Sequence, residues 1–119
     1  MTRPRVESVN CSLIAMAPPE NGRPVTVDVL INNTLQSLVL IQTDGQPKLY
    51  LNQCPHQGRR LDYAPGKFLC KNETLVCAAH GAVFAMESGL CVQGPCRGES
   101  LTAYEAQWQA DGRLAVFWP

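Results

Sequence analysis

The sequence predicts an all-β chain, an antiparallel β-sandwich or small barrel, and three observations predict it. Apolar residues alternate with polar ones from Val25 to Asn32, with Val25, Val27, Val29 and Ile31 on one face. Turn signals recur between short apolar runs at Asn32-Asn33, Asp44-Gly45 and Asp111-Gly112. No segment carries the apolar stripe of an amphipathic helix. Many short strands joined by such turns are the mark of a sandwich or barrel.

Taken in order, Pro18-Pro19-Glu20-Asn21-Gly22 is a cluster of chain breakers and reads as a surface loop before the first regular strands. The alternating run from Val25 is the first strand. Leu38 to Ile41 is continuously apolar and short, which fits a strand buried on both faces. Asp44-Gly45 closes a hairpin, and Leu49-Tyr50-Leu51 resumes the strand after it. Leu75 to Cys77 and Val83 to Met86 form a further hairpin. Tyr104, Ala106 and Trp108 alternate with Glu105, Gln107 and Gln109. After the Asp111-Gly112 turn, Leu114 to Trp118 is the last strand. Trp108, Trp118, Tyr104 and Phe117 read as packing residues.

A chain of 119 residues fits one domain, here taken as 1–119. At this size roughly 65% of the unfolded surface can be buried, enough for a core without disulfides. Ten basic residues balance ten acidic ones, which argues against nucleic acid or an anionic membrane as partner. No apolar run approaches the roughly 20 residues needed to span a bilayer. Met1 to Asn10 lacks the apolar stretch of a signal peptide. Six cysteines would suit a secreted disulfide framework, but two serve better as ligands. The other four, Cys11, Cys70, Cys91 and Cys96, read as reduced thiols, with a short Cys91–Cys96 bridge as the alternative. That balance predicts a reducing, cytoplasmic setting.

Two segments interrupt the β pattern, each after a strand: Cys54-Pro55-His56-Gln57-Gly58 and Cys77-Ala78-Ala79-His80-Gly81. They contain both histidines of the chain, each at ligand spacing from a cysteine. Two thiolates and two imidazoles make a metal-ligand set. A glycine follows each histidine, Gly58 and Gly81, where backbone can approach a ligand closely. Structural zinc is one occupant of such a set, but zinc sites more often pair cysteine with cysteine and histidine with histidine. A nucleophilic Cys–His pair is another reading, but it leaves one complete set without a role, and no orienting third group is evident. Mixed Cys₂His₂ ligation also suits an iron–sulfur centre.

The two boxes together resemble the Rieske [2Fe-2S] family. Phe84 and Gly89 resemble its continuation after the second box, and Gly94-Pro95 resembles the segment that members fold over the cluster. The likeness runs from about Val25 to Trp118. It implies a Rieske-like β base with a cluster-binding subdomain of two loops, at about 53–62 and 77–96. It further implies one [2Fe-2S] cluster, with Cys54 and Cys77 on one iron, His56 and His80 on the other, and Gly58, Gly81 and Pro95 against the cofactor. High-potential members carry a disulfide between the loops; here those positions are Arg59 and Ala79. They also carry two hydroxyl side chains that donate to the sulfurs; here those positions are Ala82 and Phe84. The departures imply a potential at the low end of the family, roughly −150 mV.

The resemblance thus implies a ferredoxin that takes one electron from a flavin-dependent reductase and passes it to an oxygenase or similar enzyme. It would have no substrate site of its own, because both histidines are already committed and no 2-His-1-carboxylate iron site can be built. Alternatives are a small Rieske-fold subunit of a larger oxidoreductase such as nitrite reductase, or a structural zinc or redox-sensing module. Leu61 is expected to cover the apolar flank of the first loop. Arg59, Arg60 and Lys67 near that loop read as solvated charge or as a docking patch for an acidic partner.

Overall fold

A computed structural model describes residues 10–55 and 58–119. The described residues form ten strands: β1 (Asn10–Ile14), β2 (Val25–Ile31), β3 (Thr34–Thr43), β4 (Gln46–Leu51), β5 (Leu69–Lys71), β6 (Thr74–Val76), β7 (Val83–Ala85), β8 (Cys91–Gln93), β9 (Ala103–Trp108) and β10 (Leu114–Trp118). No helix occurs among them. The all-β, antiparallel expectation therefore stands.

Two sheets divide the strands. A six-stranded antiparallel base runs β1-β10-β9-β4-β3-β2, and a small four-stranded sheet runs β5-β6-β7-β8. The small sheet and both ligand loops lie in one excursion between β4 and β9. These two strands pair directly, Leu49 with Tyr104 and Tyr50 with Ala103. The base therefore closes beneath the excursion and holds its two ends together.

Local chemistry explains the hairpins. Asn32 and Asn33 both adopt positive φ, 50° and 65°, so the two-residue turn matches the twist of β2 and β3. Their register runs from Ile31 opposite Thr34 to Val25 opposite Leu40. Asp44 and Gly45 turn β3 into β4 in the same way. The breaker cluster around Pro18 is fastened at this end: the Gly22 N–H donates to the Gln42 carbonyl (2.8 Å), and the Gly45 N–H donates to Asn21 Oδ1 (3.0 Å).

The cluster is not the start of the regular structure, as the sequence leads one to expect, because β1 precedes it and pairs with β10. Strand β1 is mostly exposed, and its half-buried face carries Ser12 with Ile14, so no apolar face stands out in the sequence. Its pairing supplies what its side chains do not signal. Strands β5 and β8 also escape sequence reading: each is three residues long and mostly exposed, whereas the equally short β6 and β7 each carry a buried apolar centre, Leu75 and Phe84.

The apolar run in β3 is buried on both faces, as expected. Leu38 and Leu40 join Val27, Val29, Ile31, Leu49, Leu114 and Val116 in the core of the base. Ile14, Tyr104, Trp108 and Trp118 pack around that core. Val39, Ile41 and Tyr50 point the other way, into a second core with Leu61, Leu75, Phe84 and Leu101. Tyr50 fastens the two parts: its hydroxyl donates to the buried Met86 carbonyl (2.7 Å), and its ring lies over Gly89. Burial first, then the nearby Glu87 carboxylate, pushes the Tyr50 phenol up to about 12. Trp108 Nε1 donates to the buried Gln42 side chain (2.8 Å) and satisfies it.

Neighbouring positions on β3 should therefore separate stability from site integrity. Leu40→Ala and Ile41→Ala should each cost about 2–5 kcal/mol in urea unfolding. Only Ile41→Ala should also lower the bound iron and sulfide per protein.

Candidate metal centre

Each ligand loop is built on the same pair of backbone hydrogen bonds. In the first, the Cys54 N–H donates to the Arg59 carbonyl (2.7 Å) and the Gly58 N–H donates to the Cys54 carbonyl (2.8 Å). In the second, the Cys77 N–H donates to the Ala82 carbonyl (2.7 Å) and the Gly81 N–H donates to the Cys77 carbonyl (2.8 Å). The separations along the chain are identical. Gly58 and Gly81 take φ of 70° and 72°, a region that L side chains resist. Two segments that share only the Cys-x-x-x-Gly spacing and an intervening histidine thus fold into cradles with matching backbone bonds, each presenting a cysteine near its start.

The cradles bring three of the four expected ligands together. The candidate ligand atoms of Cys54, Cys77 and His80 all lie within 4.8 Å of one another. His80 Nδ1 stands 3.5 Å from Cys77 Sγ and 3.8 Å from Cys54 Sγ. Both cysteines are fully buried, whereas His80 is half-buried. His56 lies outside the described residues.

Burial pushes the Cys77 thiol up from its ordinary range. The N–H groups of Ala79 and His80, directed at the sulfur, pull the other way, and the Cys54 sulfur adds to the upward push. Two adjacent buried sulfurs repel as thiolates. A cationic centre between them removes that repulsion.

The first loop is held by residues that sequence reading passed over. Asn52 is buried at the end of β4, where its Oδ1 accepts from the Leu61 N–H (2.8 Å) and its Nδ2 donates to Ser37 Oγ (3.3 Å). Leu61 is fully buried beside Cys54, which matches its expected covering role. Arg60 grips Asp62 through two bonds of 2.9 Å, and the Gly66 N–H donates to the same carboxylate (3.1 Å). Burial pushes the Asp62 carboxyl up. The Arg60 bond, the Gly66 N–H and Asn52 outweigh burial and hold it below its ordinary range. Arg60 is thereby engaged with Asp62 while it stays exposed, as are Arg59 and Lys67 of the expected patch. No motif marks Asn52, whose partners Ser37 and Leu61 lie 15 and 9 residues away, or Asp62, whose partners are close in the chain but whose burial is not a local property.

The Gly94-Pro95 segment lies against the second cradle. Gly94 adopts φ of 102°, and a Cβ there would sit 2.9 Å from Ala82 Cα. Pro95 is exposed, while Cys96 turns inward into the same core as Cys54 and Cys77. Ala82 and Phe84 are fully buried and offer no hydroxyl.

Sulfur and imidazole donors held this close suit zinc or iron. The Rieske [2Fe-2S] domain matches residues 14–114, nearly the whole chain. The chain belongs to that family.

Its cofactor is one [2Fe-2S] cluster, and the donor set fits: buried sulfurs lie on one side, and an imidazole nitrogen faces them from nearer the surface. Among curated proteins no sequence matches. Among solved structures, the ferredoxin of carbazole 1,9a-dioxygenase from Nocardioides aromaticivorans IC177 is similar, at TM-score 0.61 and 21% identity, over 82% of this chain and 86% of that one. The terminal oxygenase of carbazole 1,9a-dioxygenase from Novosphingobium sp. KA1 is similar at TM-score 0.72 and 20% identity, over 89% of this chain and 29% of that one. A reduced complex between oxygenase and ferredoxin in carbazole 1,9a-dioxygenase gives TM-score 0.68 and 22% identity, over 91% of this chain and 27% of that one. The Rieske domain described here thus spans less than a third of the length of these two larger chains. No helix among the described residues is long and apolar enough to cross a membrane.

Two outcomes test the supports of the site. Gly94→Ala, clashing with backbone, should cost about 1–3 kcal/mol and lower cluster content. Gly112→Ala, with open space around it and positive φ, should cost only about 1–2 kcal/mol and leave cluster content unchanged. Asp62 has a lowered folded pKa, so its stabilisation is complete above the ordinary carboxylate value of about 3.9 and is lost as pH falls through the folded value. Asp62→Asn should therefore lower stability at neutral pH and flatten the acid limb of a stability–pH curve measured by urea unfolding.

Proposed function

We propose that this Rieske domain is a ferredoxin, a one-electron carrier between a flavin-dependent reductase and a terminal oxygenase or similar enzyme. Cys54 and Cys77 hold one iron; His56 and His80 hold the other. Gly58 and Gly81 shape the cradles, and the Gly94-Pro95 segment covers them. Residues 1–119 act as one domain, with cluster loops at about 53–62 and 77–96. The pairing of β4 with β9 on either side of the loops supports this unity.

The observation that carries the reading is the graded burial of the ligands. Cys54 and Cys77 are closed off from solvent, and His80 is half-buried with Nδ1 toward both sulfurs. When bound, the cluster supplies a centre that gains and loses one electron. The protein's own task is to hold that centre and to present its imidazole side to a partner. Similarity over most of a ferredoxin chain supports a carrier role, and the ferredoxin–oxygenase complex among the similar structures supports an oxygenase as acceptor.

No catalytic residue is assigned, since both histidines are used in ligation. The four cysteines not assigned to the cluster, Cys11, Cys70, Cys91 and Cys96, are unbridged, Cys11 and Cys70 exposed, which supports a reducing, cytoplasmic setting. A second reading, a small subunit docked on a larger oxidoreductase, draws on the higher TM-score to the oxygenase chain than to the ferredoxin. Co-purification with one large partner would favour it.

Buried Ala82 and Phe84 offer the sulfurs no hydroxyl donor, so the potential should fall near −150 mV, roughly the low end of the Rieske range. Redox titration checks this, and a value well above zero would contradict it. EPR of the dithionite-reduced protein should show the lowered average g of mixed nitrogen and sulfur ligation. His80→Ala should abolish that signal.

A further inference from the structure

Cys91 and Cys96 flank the covering segment, and nothing in the proposed carrier role uses them. Cys91 opens β8, and Cys96 lies in the turn that follows Gly94-Pro95. Both are buried, at 1% and 2% exposure. Their sulfurs lie 3.1 Å apart, with the Cys96 S–H directed at Cys91 Sγ; the Cys91 S–H is directed at the Gln93 carbonyl (3.3 Å).

Backbone bonds hold the two residues face to face. The Cys91 N–H donates to Glu99 (2.8 Å), the Gly98 N–H donates to Cys91 (3.1 Å), and the Glu99 N–H donates to Cys96 (2.9 Å). Between them, Gly94 presses on the Ala82 backbone of the second cradle. Buried free cysteines ordinarily act as small apolar groups. Two sulfurs held 3.1 Å apart by one turn are also placed to be joined by oxidation.

We propose that Cys91 and Cys96 are a redox-convertible dithiol, closed by a peroxide to a disulfide that fastens the Gly94-Pro95 turn against the second cluster loop. Two S–H bonds break and one S–S bond forms. The peroxide takes two electrons and two protons and, as hydrogen peroxide, leaves as two waters. The disulfide closes a ring over residues 91–96 and removes freedom from the cover in its open states. The cluster should then be harder to extract. This consequence rests on the cluster reading, whereas the disulfide itself does not.

The test uses anaerobically prepared holoprotein, with and without hydrogen peroxide at a dose that leaves the visible spectrum intact. After acid denaturation and iodoacetamide treatment, cleavage beyond Glu87 and Arg97 releases the peptide 88–97, which carries both cysteines. The proposal expects this peptide to escape alkylation only after peroxide, in its internally bridged form. It also expects cluster loss to an iron chelator, followed by absorbance, to slow several-fold after treatment. Cys91→Ser and Cys96→Ser should each bind cluster and show no such slowing.

Full alkylation of the treated peptide would overturn the proposal, as would bridging of either cysteine to Cys54 or Cys77. An internal bridge with unchanged chelation kinetics would overturn the fastening role. An untreated sample without visible absorbance or labile sulfide would instead overturn the cluster assignment.

Discussion

Strands β3 and β4 bury side chains on both faces, Leu38, Leu40 and Leu49 toward the base and Val39, Ile41 and Tyr50 toward the ligand loops. The small sheet β5–β8 has three-residue strands and cannot be stable alone. It borrows a hydrophobic floor from the base instead. Removing a side chain from that floor opens a cavity that the short strands cannot close. The β4–β9 pairing adds a second constraint, because it brings the entry and exit of the excursion side by side.

On this floor the two cradles solve a common electrostatic problem. Cysteine sulfurs must be buried to keep water from the site, yet burial disfavours the thiolate. Backbone N–H groups from Ala79 and His80 aimed at Cys77 offset part of that penalty, and positive metal must offset the rest. The first cradle relies more on side chains. Asn52 ties Leu61 to the end of β4, and the Arg60–Asp62 pair braces the outgoing chain. Asp62 is nearly inaccessible while Arg60 is largely exposed. The bond therefore serves mainly to satisfy a buried carboxylate, and less as a surface ion pair.

The chain has neither of the inter-loop cysteines of high-potential relatives, and the Gly94-Pro95 turn, the proposed cover, is braced by other means. Gly94 permits contact with the Ala82 backbone, and Cys96 carries the turn into the core shared with Cys54 and Cys77. The turn is therefore anchored to the second cradle, through Gly94 against Ala82.

Much of this protein was legible in its sequence. Period-two alternation from Val25, the Asn32-Asn33 and Asp44-Gly45 turns and the doubly apolar run of β3 are local signals, and each element forms where it reads. The two boxes were legible because ligand chemistry demands particular residue types at short spacing. Strand β1 was not, since its only signal is the partner it meets at β10, distant in the chain. The Cys91–Cys96 spacing left a bridge open, but that the two sulfurs face each other in the core, like the ties of buried Asn52 to Ser37 and Leu61, depends on groups brought near by folding. Local propensity and ligand spacing thus determined the strands, turns and donor set. Long-range pairing and two-sided packing alone decided which donors meet, how deeply they sit and what covers them, since burial and distance are properties that no short stretch of chain possesses.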